Sequence, residues 1–349
     1  MPSLFVIILN WNGWKDTIEC LDSLQKSDHP DYRLIVVDNG STDGSCERFR
    51  DWAAVRQLDL VEFTKDEADT GGEGIHRRSS DTKDSRRLLV IVRNGDNLGF
   101  AAGNNVGMRY ALACDAKYVM LLNNDTAVAP GALSWLTGFL NDHPDVHAVT
   151  GQTRYFGDTQ KIWNCGGDLT WYGTRRYHHA GAAISGTPQH GGRTITFMTG
   201  CAPMFRAELL RSVGLFTTRF FFGEEDFEFS LRLKTLGRRM ACCYDAIIYH
   251  KVGASINQVA AGKPLGMTYI YYLNRLIDLR LHWPAALWKI WRMIYIPYIA
   301  VLSWKEYKLS LAILMRFLIS LSRESSRRQG VDRAAFETAM KLGYLPAAV

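Results

Sequence analysis

An apolar segment that ends abruptly in polar residues is the strongest chemical signal in this 349-residue sequence. The run Tyr118–Leu122 stops at Asn123-Asn124-Asp125, which is the pattern of a buried strand followed by a carboxylate. In an open α/β sheet, ligands bind just beyond the carboxyl ends of the strands. A single aspartate beside two amides suits a hard divalent cation that is shared with a substrate diphosphate. We therefore expect Asp125 to be a metal ligand; the alternative is a strand end followed by ordinary turn-forming residues.

A second polar cluster follows the candidate strand Leu34–Val37. It begins at Asp38 and continues to Ser45 with two glycines, Gly40 and Gly44. A carboxylate at the end of a strand can hold the base or the ribose hydroxyls of a nucleotide. An ordinary turn followed by a helix cap explains the same residues, because Asp, Ser and Thr are favoured in both. By itself this segment does not decide between the two interpretations.

A third segment, Asp96–Asn105, precedes a helical pattern and combines small residues with asparagines. Gly99 would let the backbone approach a ligand closely. Asn97 and Asn104 would supply hydrogen-bond donors and acceptors. The alternative is an ordinary loop with Asn104 or Asn105 near a helix cap.

Three acids, Glu224, Glu225 and Asp226, open the helix that we predict over Glu224–Leu236. Helical spacing places Asp226 beside the apolar stripe that contains Phe229, a position that suits the wall of a cleft. A partly buried carboxylate at such a position can act as a general base. The helix N-terminus lowers the pKa of such a group whereas desolvation raises it, and the sequence leaves that balance open. Glu228 and Arg232 form an i,i+4 pair, which we expect to be a solvated salt bridge.

His250 ends the candidate strand Arg238–His250. It could complete a metal site opposite Asp125, although a lone histidine also serves structural roles.

Strands and helices must alternate to position these residues. The apolar runs and helical spacings predict a doubly wound, mostly parallel α/β sheet. The expected strands are Leu4–Leu9, Leu34–Val37, Leu58–Phe63, Leu88–Val92, Lys117–Asn123, Val146–Gly151, Thr194–Phe205 and Arg238–His250. The expected helices of this part are Asp16–Lys26, Asp43–Val55, Ala101–Cys114, Pro130–Asn141 and Glu224–Leu236.

Two further features concern the surroundings of the sheet. Thr64–Arg87 is nearly devoid of apolar residues, which predicts a solvated, mobile insertion or alternatively a lid that orders over substrate. The seven cysteines include no CxxC pair, so we expect reduced, mostly buried thiols in a cytosolic protein.

The last part of the chain has its own charge and composition. Residues 263–349 carry 13 Lys and Arg against 5 Asp and Glu, while the whole chain has a net charge of +6. Its longest uncharged stretch, Met293–Trp304, is shorter than the ~20 residues of a spanning helix. Tryptophans and leucines interleaved with basic residues predict helices that lie on an anionic membrane surface, rather than a nucleic-acid site. A helical cap packed on the main domain is the alternative, and both can hold together.

Taken in order, these segments resemble the inverting family 2 glycosyltransferases of the GT-A fold, over about residues 3–255, and most closely the rhamnosyltransferase-like bacterial branch. The resemblance implies a nucleotide contact at Asp38, Mg²⁺ or Mn²⁺ at Asp125, a catalytic base at Asp226 and a position near the acceptor for Glu225. We expect His250 to join Asp125 in holding the metal, and Glu224 to join Glu225 in binding the acceptor. The expected contacts to the sugar-nucleotide donor are Asn10, Asn12, Asp38, Asn97, Gly99, Asn104 and Asn124. Two motifs depart from the family pattern, because the metal motif is Asn-Asn-Asp and the acidic motif is Glu-Glu-Asp.

The resemblance implies a domain over 1–262 that transfers a sugar from a nucleoside-diphosphate sugar, and the composition of the tail predicts a membrane-associating region over 263–349. The acceptor would be a lipid-linked glycan of the cell envelope, at the cytoplasmic face of the membrane. A nucleotidyltransferase is a competing hypothesis, but it would ordinarily have a Gly-rich loop with Arg or Lys where this chain has Asn10–Gly13. A membrane-surface binding module with a degenerate site is the non-enzymatic alternative.

Overall fold

The computed structural model describes residues 3–72, 85–252 and 264–346. Its strands are β1 Leu4–Asn10, β2 Tyr32–Asp38, β3 Asp59–Thr64, β4 Leu88–Arg93, β5 Tyr118–Asn123, β6 Thr126–Val128, β7 Val146–Tyr155, β8 Ile162–Asn164, β9 Gly167–Leu169, β10 Arg175–Tyr177, β11 Gly192–Ile195, β12 Met204–Arg206 and β13 Arg239–His250. Its α-helices are α1 Trp14–Leu24, α2 Ser45–Val55, α3 Lys65–Asp69, α4 Phe100–Ala113, α5 Ala132–Asp142, α6 Ala207–Val213, α7 Glu225–Thr235, α8 Leu265–His282, α9 Ala285–Tyr307, α10 Leu311–Arg327 and α11 Arg333–Leu342.

The main sheet is mostly parallel and runs in the order β11-β13-β7-β12-β5-β1-β2-β4-β3. The short strand β12 is antiparallel to both of its neighbours, β5 and β7. The parallel register sets Asn10 beside Asp38, and Leu9 beside Asn123. The polar residues that follow β1, β2 and β5 therefore emerge at one edge of the sheet, as in other open α/β sheets.

Helices cover both faces of this sheet and bury its apolar strands. Side chains of α4, α6 and α7 pack on one face, and side chains of α1, α2 and α5 pack on the other. Strands β1 and β2 are buried along nearly their whole length, as continuous apolar runs require when both faces are covered. The predicted doubly wound, mostly parallel α/β fold is confirmed.

The single strand predicted over Thr194–Phe205 is wrong. Two short strands, β11 and β12, occupy its ends, and they pair with different neighbours. Gly200 and Pro203 lie between them, and both residue types interrupt a strand. Residues 196–203 consequently form a connection that passes by the candidate site described below.

The stretch predicted as a mobile insertion, 64–87, begins with an ordered helix. Thr64 caps α3 through a reciprocal capping box with Glu67, Ala68 is fully buried, and Asp69 pairs with Arg109 of α4. The Thr-x-x-Glu spacing signals such a cap, so the sequence contained the clue. The stretch also ends in a short 3₁₀ helix, Ser85–Arg87, and residues 73–84 lie outside the described residues.

The C-terminal helices α8–α11 share a core of their own with the preceding loop. Phe220 packs in that core with residues of α8, α9, α10 and α11. The backbone of Phe221 donates to the carbonyl of Val331 at 2.7 Å, so the segment before α11 lies against the loop before α7. The helices therefore pack on the main domain as a cap, as one of the two interpretations expected. The predicted domain boundary at 262/263 falls outside the described residues.

The outer faces of α9 and α10 leave large apolar side chains exposed. On α9 the exposed side chains include Leu287, Ile290, Met293, Ile294, Tyr298, Val301 and Trp304, and on α10 they include Leu311, Ile313, Met315 and Ile319. By length and composition alone, α9 is also long enough to cross a membrane.

Candidate active site

Asp38 is held in place at the end of β2 by its neighbours. Its Oδ1 accepts a hydrogen bond from Asn10 Nδ2 at 3.0 Å, and its Oδ2 accepts one from the Ser41 backbone at 3.1 Å. Asn10 is fully buried, and its amide oxygen accepts from the Thr17 hydroxyl at 2.8 Å. Asn10 is therefore turned inward, and its amide orients the Asp38 carboxylate and also donates to Ser41 Oγ at 3.0 Å.

Asn12 links the loops that follow β1 and β2. Its Oδ1 accepts from the Thr42 backbone at 2.7 Å, and its own backbone N–H donates to Ser41 Oγ at 3.0 Å. Its φ of 49° is in the left-handed region, where asparagine is better tolerated than most residues. The two loops thus form one wall beside Asp38.

The loop before α4 is fastened by asparagines. Asn97 Oδ1 accepts from Asn39 Nδ2 and from the Gly99 backbone, both at 2.9 Å. Gly99 has a φ of 85°, and a Cβ at that position would collide with the carbonyl oxygen of Phe221. Glycine is thus required where this loop touches the loop before α7. Asn104 lies inside α4, is buried, and donates to the carbonyl of Phe100 at 2.9 Å.

Asp125 and His250 lie together at the end of the sheet. Both are buried, and His250 Nε2 is 3.0 Å from Asp125 Oδ1. Burial lowers the pKa of His250, but Cys201 and the hydrogen bond to Asp125 raise it more strongly, to about 10. Asn124 lies next to this pair and donates to Thr17 Oγ1 at 3.2 Å, on the side of α1.

This pair fits a divalent cation only as part of a larger ligand set. Among the described residues, His250 Nδ1 is buried without a hydrogen-bond partner, and the side chains of Asp125 and Cys201 both interact with the ring. Within the described ranges, no cluster of three or more His, Cys, Asp or Glu side chains could hold a metal ion. Mg²⁺ typically uses one or two protein carboxylates and takes its other ligands from substrate phosphates and water. Asp125 and His250 therefore fit a cation that a diphosphate helps to bind.

Asp226 sits in the first turn of α7 with one carboxylate oxygen fixed. Its Oδ2 accepts from the Gly200 backbone at 3.2 Å, and its side chain remains 19% exposed. Burial raises the pKa of Asp226, while the nearby Arg175 guanidinium lowers it, and the net direction is upward. A carboxylate with a raised pKa and residual access suits a general base.

Glu225 is more deeply buried than Asp226. Burial and the charge of Asp226 raise the pKa of Glu225 to about 8, and its Oε2 has no hydrogen-bond partner among the described residues. At neutral pH this group is mostly protonated and can donate a hydrogen bond. The raised pKa of Glu225 is consistent with a role beside an acceptor hydroxyl, which stays a prediction.

The expected acceptor-binding role of Glu224 does not match its placement, because two arginines occupy its carboxylate. Arg175 Nη1 lies 2.9 Å from Oε1, and Arg275 Nε lies 2.5 Å from Oε2. Glu224 is 3% exposed and has a left-handed φ of 71° where α7 begins. Burial raises the pKa of Glu224, but the two arginines lower it by more. The net shift of the pKa is downward, so Glu224 stays ionised. It anchors the start of α7.

In the pair Glu228–Arg232, expected to be solvated, Glu228 is in fact buried and Arg232 is only partly exposed. Glu228 is 3% exposed, pairs with Arg232 at 2.8 Å, and lies 3.3 Å from His282 of α8. The helical cap covers this face of α7, which a local i,i+4 pattern does not reveal.

The two predicted functional centres meet at the connection between β11 and β12. Gly200 bonds to Asp226, and the next residue, Cys201, interacts with His250 of the Asp125 pair. The carbonyl of Cys201 also accepts from the backbone of Asn123 at 2.8 Å. One dipeptide therefore joins the metal-binding candidates to the candidate base.

Several residues of the site were not predicted from the sequence. Arg175 and Arg275 reach Glu224 from 49 and 51 positions away in the chain, and Asn274 donates to the carbonyls of Phe222 and Gly223. Only their residue types hint at pairing, because no local spacing connects them to α7. The donor, acceptor and metal roles assigned from the sequence remain predictions.

Comparisons with known proteins agree with this architecture. The sequence model of the family described as "Glycosyltransferase like family 2" matches residues 2–262. No curated protein matches the sequence.

Solved structures share the fold at low sequence identity. A mannosyltransferase, PcManGT from Pyrobaculum calidifontis, was solved with GDP-Man and Mn²⁺; it is 16% identical, the match covers 98% of this chain and 84% of that one, and the TM-score is 0.54. The structure of GalNAc-T7 with UDP, GalNAc and Mn²⁺ is 14% identical in sequence and has a TM-score of 0.56. The match covers 99% of this chain and 55% of GalNAc-T7. TarS of S. aureus is 15% identical and has a TM-score of 0.52. The match covers 98% of this chain and 52% of TarS. This chain thus spans about half the length of the last two.

The family match extends over most of the chain and includes every residue of the candidate site except those supplied by α8. The structural matches identify the fold as GT-A. The chain therefore belongs to the glycosyltransferase-like family 2.

Proposed function

We propose that this glycosyltransferase moves a sugar from a nucleoside-diphosphate sugar to a hydroxyl of a lipid-linked glycan acceptor, with inversion at the anomeric carbon. The reaction would serve cell-envelope polysaccharide synthesis at the cytoplasmic face of the membrane. The observation that carries the proposal is the meeting of Asp226 with the Asp125–His250 pair at Gly200–Cys201. It brings a candidate base and a candidate diphosphate site to one connection of the chain.

Asp226 is the group that would accept the proton of the acceptor hydroxyl. Its Oδ2 is held by Gly200, and its Oδ1 lies 3.7 Å from Arg175 Nη1. As the proton passes to Asp226, the acceptor oxygen forms a bond to the anomeric carbon. The bond from that carbon to the phosphate oxygen breaks on the opposite face, and the nucleoside diphosphate leaves. A fixed base in the correct orientation accelerates such a displacement.

Asp125 and His250 would hold Mg²⁺ or Mn²⁺ together with the donor diphosphate. A bound cation supplies positive charge that neutralises the leaving diphosphate. Two structures of the same fold, PcManGT and GalNAc-T7, contain Mn²⁺ beside a sugar nucleotide or its parts, which supports a divalent cation here.

The nucleotide part of the donor would lie along the wall formed by Asp38, Asn12 and the loop containing Asn97 and Gly99. Asp38 keeps both oxygens near the end of β2 and can accept from hydroxyls of the ribose or from the base. Gly99 permits close approach of the backbone.

The membrane association would come from α9 and α10. Residues 285–327 carry seven Lys and Arg against two Asp and Glu, around the exposed apolar side chains. We favour a surface position over a membrane-spanning one because α9 buries Trp288, Tyr295 and Ile299 against the rest of the protein. A helix packed along one side and apolar on the other suits the headgroup layer.

The test is a screen of UDP-, GDP- and dTDP-sugars for hydrolysis or transfer, with Mn²⁺ and with bacterial lipid extract as the acceptor source. Turnover of one donor that depends on Mn²⁺ and on lipid extract would support the proposal. Tight donor binding without turnover under all conditions would favour the non-catalytic binding module instead. The nucleotidyltransferase hypothesis disagrees with the family match and is not retained.

A further inference from the structure

A small β-hairpin carries the most exposed tryptophan of the described residues at its tip. Strands β9 and β10 pair in antiparallel fashion, and Thr170–Thr174 forms the turn between them. Trp171 is 89% exposed and Tyr172 is 47% exposed. Large aromatic side chains rarely face water without a partner, and those with one polar atom favour the boundary between lipid and water.

The tip of this hairpin is fixed to the C-terminal helices. Trp291 Nε1 of α9 donates to the carbonyl of Tyr172 at 2.9 Å, and Arg275 Nη1 of α8 donates to the carbonyl of Gly173 at 3.0 Å. A Cβ at Gly173 would lie 2.6 Å from Leu279 and 3.0 Å from Trp283, so the contact is tight. The hairpin therefore has a defined position relative to α9.

From Trp291, aromatic rings lead onto the exposed face of α9. Trp291 stacks on Tyr295 with ring centroids 4.2 Å apart, and Tyr295 stacks on Tyr298 at 5.9 Å. Tyr298 is 54% exposed and is flanked by Ile294, which is 71% exposed. The hairpin tip and the outer face of α9 are thus neighbouring parts of one aromatic and apolar surface.

The basic residues around this surface indicate what covers it. Residues 285–327 include seven Lys and Arg but only two Asp and Glu. Two of these lysines, Lys289 and Lys305, are exposed on α9 itself. A broad apolar face bordered by lysines and arginines matches an anionic bilayer. Protein–protein interfaces, by contrast, are normally depleted of charged residues such as lysine.

The other end of the hairpin reaches the catalytic carboxylates. Arg175, the first residue of β10, lies 2.9 Å from Glu224 and 3.7 Å from Asp226. Extended chain rises about 3.3 Å per residue, so the four steps from Trp171 to Arg175 span at most roughly 13 Å.

We propose that this hairpin is a membrane anchor, with Trp171 and Tyr172 entering the headgroup layer of an anionic bilayer beside α9. Its second strand then holds Arg175 and Asp226 at a fixed depth above the layer where the phosphates of a lipid-linked acceptor lie. The depth of Asp226 relative to the acceptor rests on the proposed function, whereas the contact of Trp171 and Tyr172 with lipid does not depend on it.

The test uses the full chain with vesicles of phosphatidylglycerol and brominated phosphatidylcholine, because bromine quenches tryptophan that enters the lipid. The chain has 10 tryptophans, so the readout is the quenched fraction of the emission in matched variants. Trp171→Phe should lower that fraction, whereas Trp135→Phe, which removes only unquenched emission, should leave it equal or slightly higher. Trp135 is a suitable control because it is 53% exposed and lies on α5, which packs against β7 and β13. Equal quenched fractions in the two variants would overturn the proposal.

A second measurement covers the strength of binding. Trp171→Ala should weaken co-sedimentation with vesicles of phosphatidylglycerol and phosphatidylethanolamine by roughly tenfold, since one interfacial aromatic contributes on the order of one decade. Trp135→Ala should bind as the unchanged protein does. Neither readout uses enzyme activity, so loss of quenching in Trp171→Phe supports the anchor even if no donor sugar is turned over. Conversely, a productive donor with no effect of Trp171 would retain the proposed function and reject the anchor.

Discussion

The backbone N–H of Gly200 donates to Oδ2 of Asp226 at 3.2 Å. The peptide that carries this donor continues into Cys201, which interacts with His250. Any displacement of this connection would therefore move the candidate base and the candidate cation site together. Coupling of this kind keeps the attacking hydroxyl and the leaving diphosphate in a fixed relation, which is what an in-line displacement requires.

Replacing Asp226 with Asn should remove proton acceptance and leave the fold intact. The amide oxygen of asparagine can still accept from Gly200, so the start of α7 should keep its position. General-base catalysis typically contributes about 10²- to 10⁴-fold, and we expect a loss of that size in transfer rate. Donor affinity, measured by calorimetry with Mn²⁺, should change little. Asp142→Asn, at an exposed position on α5, is the control, and normal turnover by Asp226→Asn would exclude the base assignment.

Removing the charge of Arg175 should shift the pH dependence of transfer. Burial raises the pKa of Asp226 and Arg175 opposes it, so the Arg175→Met variant should have a still higher pKa at this group. A base works only when deprotonated, so the rate rises with pH through that pKa, and the acidic limb of kcat/KM should move to higher pH. Arg176→Met, an exposed neighbour on β10, should leave the limb in place. If the acidic limb of kcat/KM stays in place in Arg175→Met, Arg175 does not influence the pKa of the catalytic base.

The fold could be predicted from the sequence wherever the signal was local. A continuous apolar run such as Leu4–Leu9 is specific for a strand covered on both faces, and it appears as β1 with one added residue. The helix predicted over Glu224–Leu236 was correct to within a residue at each end. The ends of strands were predictable for the same reason, because an apolar run must stop where the backbone leaves the core.

Longer-range features were not predictable. The surroundings of Glu224 and Glu228 depend on α8, which follows α7 only after the 29 residues 236–264. The i,i+4 spacing of Glu228 and Arg232 is the same whether or not another helix covers the pair. The break in the strand Thr194–Phe205 was signalled only by Gly200 and Pro203, and the separate partners of β11 and β12 lie far away in sequence.

Gly99→Ala should destabilise the protein more than Gly95→Ala. Both glycines have φ in the left-handed region, 85° and 76°, but a Cβ at Gly95 meets no atom within 4 Å, while one at Gly99 collides with the Phe221 carbonyl. Left-handed strain alone costs about 1 kcal/mol or somewhat more, and displacing backbone adds to it, so we expect a difference of about 1–3 kcal/mol in the free energy of unfolding. Urea denaturation measures both variants. Equal losses would show that the contact between the two loops gives way at no cost.

The Arg275–Glu224 pair should contribute far more to stability than the Arg333–Asp96 pair. Arg275 and Glu224 are almost fully buried, whereas Arg333 and Asp96 are 45% and 69% exposed. Breaking a buried pair costs about 3–5 kcal/mol when a charge is left without a partner; Glu224 keeps Arg175, so we expect a loss at the lower end of that range. An exposed pair contributes about 0–1 kcal/mol. Arg275→Met should therefore lower the midpoint of urea unfolding strongly and Arg333→Met only slightly. Arg275→Lys should restore part of the loss, since lysine keeps the charge without the planar guanidinium.

Ile294→Glu should weaken binding to anionic vesicles without unfolding the protein. Ile294 is 71% exposed on α9, so the substitution disturbs no core packing, whereas truncation of α9 would expose Tyr295 and Ile299. Withdrawing an isoleucine from lipid forfeits up to about 1.5–3 kcal/mol, which is roughly a tenfold loss in affinity or more. Val55→Glu is the matched control, because Val55 is 80% exposed at the end of α2. Binding of the unchanged protein should also fall as salt rises, since lysines and arginines border the surface. If Ile294→Glu and Val55→Glu co-sediment equally with vesicles of phosphatidylglycerol and phosphatidylethanolamine, α9 is not the lipid-binding face.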